Sequence, residues 1–175
     1  MSLLQQAKKP TGGEPPILTI VGSAGTGKTS LAGQFPNTLL VAIEDGTTVF
    51  ENWDDEVKPD ILQKPDTQDI KEFLYALLVE LGTTEHGYKT IVFDSITALN
   101  IAFEKKVCKD ENVAAVADSF GGYFKGYSVI ADWHKWFIDL CIRLRDKKNI
   151  AIVFLSHLEI EKIKNSPDEA SEYAV

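Results

Sequence analysis

The sequence predicts an α/β fold with helices packed on a mostly parallel central sheet, in three layers. Three observations carry that prediction. Four short apolar runs rich in β-branched residues, Ile17–Val21, Thr38–Ile43, Thr90–Asp94 and Asn149–Leu155, read as buried strands. Between them lie stretches whose apolar residues recur at helical spacing. Each run also ends in polar residues, the pattern of a parallel sheet whose working groups gather beyond the carboxyl ends of its strands. Strand and helix alternate, so the units are βαβ.

Taken in order, residues 1–16 carry Lys8, Lys9, Gly12, Gly13, Pro15 and Pro16 and read as a flexible leader. The first strand runs into a glycine-rich loop, and residues 29–34 form a short helix that must stop before Pro36. After the second strand, residues 47–66 are polar and show no period. Ile70, Phe73, Leu74, Leu77, Leu78 and Leu81 then make one stripe of a helix capped by Asp66 or Thr67 and closed by Gly82. The third strand ends at Asp94, and Ile96, Leu99, Phe103 and Val107 mark the helix that follows. Residues 109–127 are irregular and finish in Gly-Gly-Tyr-Phe-Lys-Gly-Tyr. A helix capped by Ser128 turns Val129, Ile130, Trp133, Trp136, Phe137, Leu140, Cys141 and Leu144 inward and leads to the fourth strand. A core over residues 17–157 is expected, with 158–175 as an acidic tail or mobile loop.

Composition narrows the function classes. No apolar run approaches the length of a membrane span, so no membrane partner is expected. The two cysteines, Cys108 and Cys141, lack metal-ligand spacing and read as reduced thiols. A net charge of −8 argues against a broad nucleic-acid-binding face, and leaves room for a small basic strip or a site completed by oligomerisation.

The loop Gly22-Ser23-Ala24-Gly25-Thr26-Gly27-Lys28-Thr29-Ser30 fits the phosphate-binding pattern G-x-x-x-x-G-K-[ST] at every fixed position. It also sits in the strand–loop–helix context that the pattern needs. Its glycines let successive N–H groups turn inward on an anion, and the following helix adds positive charge at its start. Lys28 is expected at the β- and γ-phosphates of ATP, and the Thr29 hydroxyl at Mg²⁺.

The other strand ends supply the remaining chemistry. Asp94 closes the third strand, where a carboxylate holds Mg²⁺ in phosphate-loop enzymes. Ser95 follows it, so a water-orienting acid must come from elsewhere. Glu44, at the end of the second strand, is the first choice and Asp45 the second. Ser156 and His157 end the fourth strand, and His157 is placed to sense the γ-phosphate.

With these residues on the page, the chain resembles the RecA family of P-loop ATPases. The segments Gly22–Ser30, Leu39–Gly46, Thr90–Leu99 and Ile150–His157 carry the likeness in order, across about residues 17–157. The pattern is most similar to phage-encoded RecA-like ATPases of recombination and single-strand annealing. The resemblance implies Lys28 and Thr29 at phosphate and Mg²⁺, Glu44 as catalytic glutamate, Asp94 as the Walker-B acid and His157 in the coupling position. It further implies contacts to single-stranded DNA from residues 109–127 and 158–175; a homo-oligomer and a cytoplasmic location, the host's if phage-encoded, are expected beside it. Tyr123, Phe124, Lys125 and Tyr127 suit base stacking in the first of these segments. Lys162 and Lys164, set among acids, make the second a poor electrostatic footprint. A RecA core continues with further strands, so its C-terminal part is either absent from this chain or reduced to a minimal version.

Two other readings compete. A nucleotide or small-molecule kinase needs an arginine-rich lid, and the arginines here are only Arg143 and Arg145 in one helix. A non-catalytic module that uses ATP as a switch would not need Lys28, Thr29, Glu44 and Asp94 together. Guanine specificity has no support, because no N-K-x-D-type sequence follows the fourth strand.

Overall fold

The computed structural model describes residues 13–44, 46–158, 160–166 and 169–174. Its sheet is built from β1 (Ile17–Gly22), β2 (Thr38–Ala42), β3 (Asp60–Gln63), β4 (Thr90–Asp94) and β5 (Ala151–His157). The helices are α1 (Lys28–Gly33), α2 (Ile70–Thr83), α3 (Ile96–Asp110) and α4 (Lys125–Lys148). The five strands are parallel and lie in the order β1-β5-β4-β2-β3. The phosphate-loop strand is thus separated from the Asp94 strand by β5 alone.

Side chains alternate across a strand, so each inner strand feeds two cores. Leu39 and Val41 of β2, Ile91 and Phe93 of β4, and Ile152 and Phe154 of β5 pack with α2, α3 and α4. Leu40, Ala42, Val92, Val153 and Leu155 face the other way, onto Ala32 of α1 and Phe50. This is a three-layer α/β fold. Strands β2 and β4 are buried along their whole length, which is why they read as unbroken apolar runs instead of alternating ones. Each fully buried Leu or Phe in these cores is worth roughly 1.5–3 kcal/mol.

The alternation also aims Asp94. It shares the parity of Val92, so its carboxylate faces the α1 layer, where the phosphate loop ends. Ser95 is fully buried, and its hydroxyl accepts the Ala98 N–H at 3.1 Å, capping α3. The residue after Asp94 therefore serves the helix start.

Several expectations change. Strand β3 lies within the stretch that shows no period. It is a four-residue edge strand, largely exposed, and is defined by backbone pairing with β2 from Leu39↔Asp60 onward. Asp69, not Asp66 or Thr67, caps α2: its Oδ1 accepts the N–H groups of Lys71 at 2.9 Å and Glu72 at 3.2 Å. Gly82 lies inside the last turn, and Thr84 ends the helix. Ser128 lies inside α4, which starts at Lys125 behind Phe124 in the left-handed region. Asn149 ends α4 in that same region, so β5 starts two residues later than the apolar run suggests. Within 158–175, expected as a tail or mobile loop, β6 (Ile160–Ser166) and β7 (Glu169–Ala174) pair antiparallel.

Cys108 and Cys141 are both unpaired, and burial pushes the Cys141 thiol far up. No described helix is long and apolar enough to cross a membrane.

Candidate functional site

The phosphate loop joins β1 to α1. Gly25 and Gly27 take φ of +76° and +82°, conformations that cost an L side chain energy, so glycine at both points is what allows the loop to close. Lys28 opens α1 and is buried. Its ammonium donates to Gly22 O at 2.8 Å and to Ser23 O at 2.9 Å, and lies 3.5 Å from His157 Nδ1. Three donors thus meet three acceptors. A phosphate ligand must displace Lys28 from its own loop.

Thr29, the next residue on α1, donates its hydroxyl proton to Asp94 Oδ2 at 2.7 Å. The predicted metal pair therefore forms one hydrogen-bonded unit, and places a hydroxyl oxygen beside a carboxylate. That donor set, all oxygen and of hard type, fits Mg²⁺.

Glu44 lies two residues beyond the end of β2, where Ile43 N donates to Asp94 O at 2.8 Å and holds the chain against β4. Its Oε1 accepts from His157 Nε2 at 2.8 Å. A neutral imidazole protonated at Nε2 suits both neighbours, since it donates to Glu44 and presents the Nδ1 lone pair to Lys28. Glu44, Asp94 and His157 offer ligand atoms within 4.8 Å of one another. The predicted residues Lys28, Thr29, Glu44, Asp94 and His157 therefore converge on one point. Asp45 lies outside the described residues.

Burial pushes the Asp94 carboxyl above the usual carboxylate range; Glu44 adds to that rise, while the Thr29 hydrogen bond, His157 and Lys28 oppose it. Among these effects desolvation is the largest, so burial outweighs the groups that favour the carboxylate.

One group at the site escapes a reading of strand ends. Thr97, in the first turn of α3, accepts the His157 N–H on its Oγ1 at 2.9 Å, and its hydroxyl lies 3.4 Å from Ser156 Oγ. The signal was faint: a threonine three residues after Asp94, hidden in an apolar helical stripe. A cleft of about 620 Å³ between Gly33, Phe35, Trp53, Val57 and Pro59 contains none of the predicted site residues.

Residues 116–127 carry a second exposed feature. Phe120, Tyr123 and Phe124 all have positive φ, and Tyr123 and Phe124 are 90% and 70% exposed. The backbone beneath them is fixed: Glu111 Oε2 accepts the Phe120 N–H at 3.2 Å, and buried Ser119 donates to Val116 O at 2.6 Å. Phe124 and Tyr127 lie with ring centroids 6.0 Å apart.

No curated protein matches the chain. A family model described as an AAA domain matches residues 14–174, and that span takes in the phosphate loop, all five parallel strands and every residue that converges on His157. The chain belongs to this AAA-domain family of nucleotide-binding P-loop ATPases.

Proposed function

We propose that the protein is a Mg²⁺-dependent ATPase of RecA-like type that couples ATP hydrolysis to a transaction on single-stranded DNA, as in phage-type recombination or repair. The observation that carries the hydrolytic part is the meeting of Glu44, Lys28 and His157, with Glu44 held at 2.8 Å by the same ring that faces Lys28 at 3.5 Å. A carboxylate so held, next to the phosphate-binding lysine, is placed to orient water for attack on a terminal phosphate.

In this reading the loop Gly22–Ser30 wraps the phosphates with backbone N–H groups. Lys28 exchanges Gly22 O and Ser23 O for phosphate oxygens, which releases His157 Nδ1. Thr29 and Asp94 would hold Mg²⁺, which would supply positive charge to neutralise the charge that develops on the phosphates. Glu44 orients the water and takes its proton. His157 senses whether Lys28 is on the loop or on phosphate, and transmits this to Glu44.

For DNA, the support is the exposed aromatic segment, because three aromatic residues are held at positive φ and two of them, Tyr123 and Phe124, stand largely exposed. Bases stack on such rings at roughly 1–3 kcal/mol each. A kinase reading has less behind it, since Arg145 is engaged by Glu14 at 3.2 Å and by Asp146 on its own helix.

The test is ATP turnover at several protein concentrations, with and without single-stranded DNA. Turnover that DNA stimulates, and that Tyr123→Ala with Phe124→Ala renders insensitive to DNA, supports the full reading. Turnover indifferent to DNA removes the DNA part, and ATP binding without turnover removes the enzyme. Lys28→Ala, which should bind no ATP by calorimetry, is the control for the loop.

A further inference from the structure

Strand β5 is longer than its neighbour β4. Register runs from Thr90↔Ala151 to Asp94↔Leu155, so Ser156 and His157 extend past the last residue of β4. On the other side they still pair with Val21 and Gly22 of β1. The chain of β4 has meanwhile turned into α3 through Ser95. The Thr97 hydroxyl fills the gap, accepting the His157 N–H at 2.9 Å in place of a β4 carbonyl, with Ser156 Oγ at 3.4 Å.

The same residue whose N–H is held here carries the ring that touches both Glu44 and Lys28. A ring is aimed by its own Cα, and the Cα of His157 is held by β1 on one side and by Thr97 on the other. We propose that Thr97 is a positioning residue for ATP hydrolysis: its hydroxyl sets the backbone of His157, and so the placement of Glu44. The inference rests on the hydrolytic reading above, in which Glu44 orients water. Among the described residues Thr97 makes no side-chain hydrogen bond to the loop Gly22–Ser30 or to Asp94, so its loss should leave phosphate binding intact. Hydrolysis depends on placement to within about 1 Å, and errors of that size cost as much as 10²-fold.

Two substitutions separate hydroxyl from methyl. Thr97→Val keeps the shape and removes the acceptor; Thr97→Ser keeps the acceptor and removes the methyl. The measurements are Mg²⁺–ATP binding by calorimetry, kcat and KM for ATP, and the ring ¹⁵N signals of His157 in the nucleotide-free protein. Thr97→Val should bind ATP like the wild type, lose about 10–100-fold in kcat with KM little changed, and shift the His157 signals. Thr97→Ser should restore kcat and the signals. Wild-type kcat and unshifted signals in Thr97→Val overturn the proposal, as does a Thr97→Ser variant as impaired as Thr97→Val. If the wild type proves not to hydrolyse ATP, the hydrolytic reading falls by itself, and unshifted His157 signals in Thr97→Val overturn the positioning role separately. Should Thr97→Val fail to fold, Thr97→Ser decides, since a hydroxyl role preserves its kcat and signals and a packing role loses both.

Discussion

His157 Nε2 lies 2.8 Å from Glu44 Oε1, although one residue ends β5 and the other follows β2, with β4 between the two strands. The contact spans the carboxyl edge of the sheet above Asp94. It ties the proposed water-orienting acid to a ring whose other nitrogen faces Lys28. Lys28 is held by Gly22 O, Ser23 O and His157 Nδ1 together, so in the proposed reading phosphate binding and Glu44 placement are joined through one imidazole.

Glu44→Gln keeps a side chain that can still accept from His157, and removes the charge proposed to orient water. ATP should remain bound while turnover falls about 10²–10⁴-fold. Asp45→Asn should cost much less. Steady-state hydrolysis with parallel calorimetry checks both, and the reverse order of effects would exchange the two acids.

Asp94→Asn separates stability from function. Burial raises the Asp94 carboxyl above the usual carboxylate range, so folding disfavours its ionised form. Asparagine preserves the acceptor for Thr29 and removes that burden. Nucleotide-free melting temperature should rise, by roughly 2–4 °C for each kcal/mol regained at this chain length. Mg²⁺-dependent ATP binding should fall. A variant that melts lower and hydrolyses normally would contradict both halves.

His134 should make stability fall in acid. Its Nε2 donates to Asn100 Oδ1 at 3.0 Å and its ring meets Phe103 edge-on, with centroids 5.0 Å apart. Burial holds its pKa below the ordinary value, so the unfolded chain takes up the proton first. The contribution of neutral His134 is complete above about pH 6.5 and is lost as pH falls from there through the lower folded value. Urea unfolding between pH 5 and 8 should show a shallower pH slope for His134→Gln than for the wild type. Equal slopes would remove His134 as the source.

Gly126→Ala should destabilise the aromatic segment. A Cβ there would stand against Ser119 Oγ and 2.6 Å from the Val116 carbonyl oxygen. Alanine would gain about 1 kcal/mol of helix propensity over glycine. Overpacking against backbone costs about 1–3 kcal/mol, and the carbonyl cannot swing aside as a side chain could. Chemical denaturation should therefore show a net loss; a gain would mean that propensity wins and the packing is looser than described.

Local chemistry made much of this protein legible in the amino-acid sequence. The phosphate loop is contiguous, so its glycines, Lys28 and Thr29 announce themselves within nine residues. Buried strands and amphipathic helices carry their periods in short windows, which is why β1, β2, β4, β5 and the apolar stripes of α2, α3 and α4 could be read directly. Polar residues at strand ends pointed to Glu44, Asp94 and His157 as neighbours. Tertiary structure decided what no window contains. Strand β3 exists through its backbone pairing with β2, and its own residues are too few and too exposed to announce it. The caps moved because a cap depends on where a chain turns, so Asp69 was chosen over Asp66 by packing of Ile70 and Phe73. Thr97 acquired a partner because β5 outruns β4, a register fact set by hydrogen bonds between segments more than 50 residues apart. The Glu44–His157 bond likewise follows from strand order, since adjacency across a sheet is fixed by the whole fold and not by any one strand.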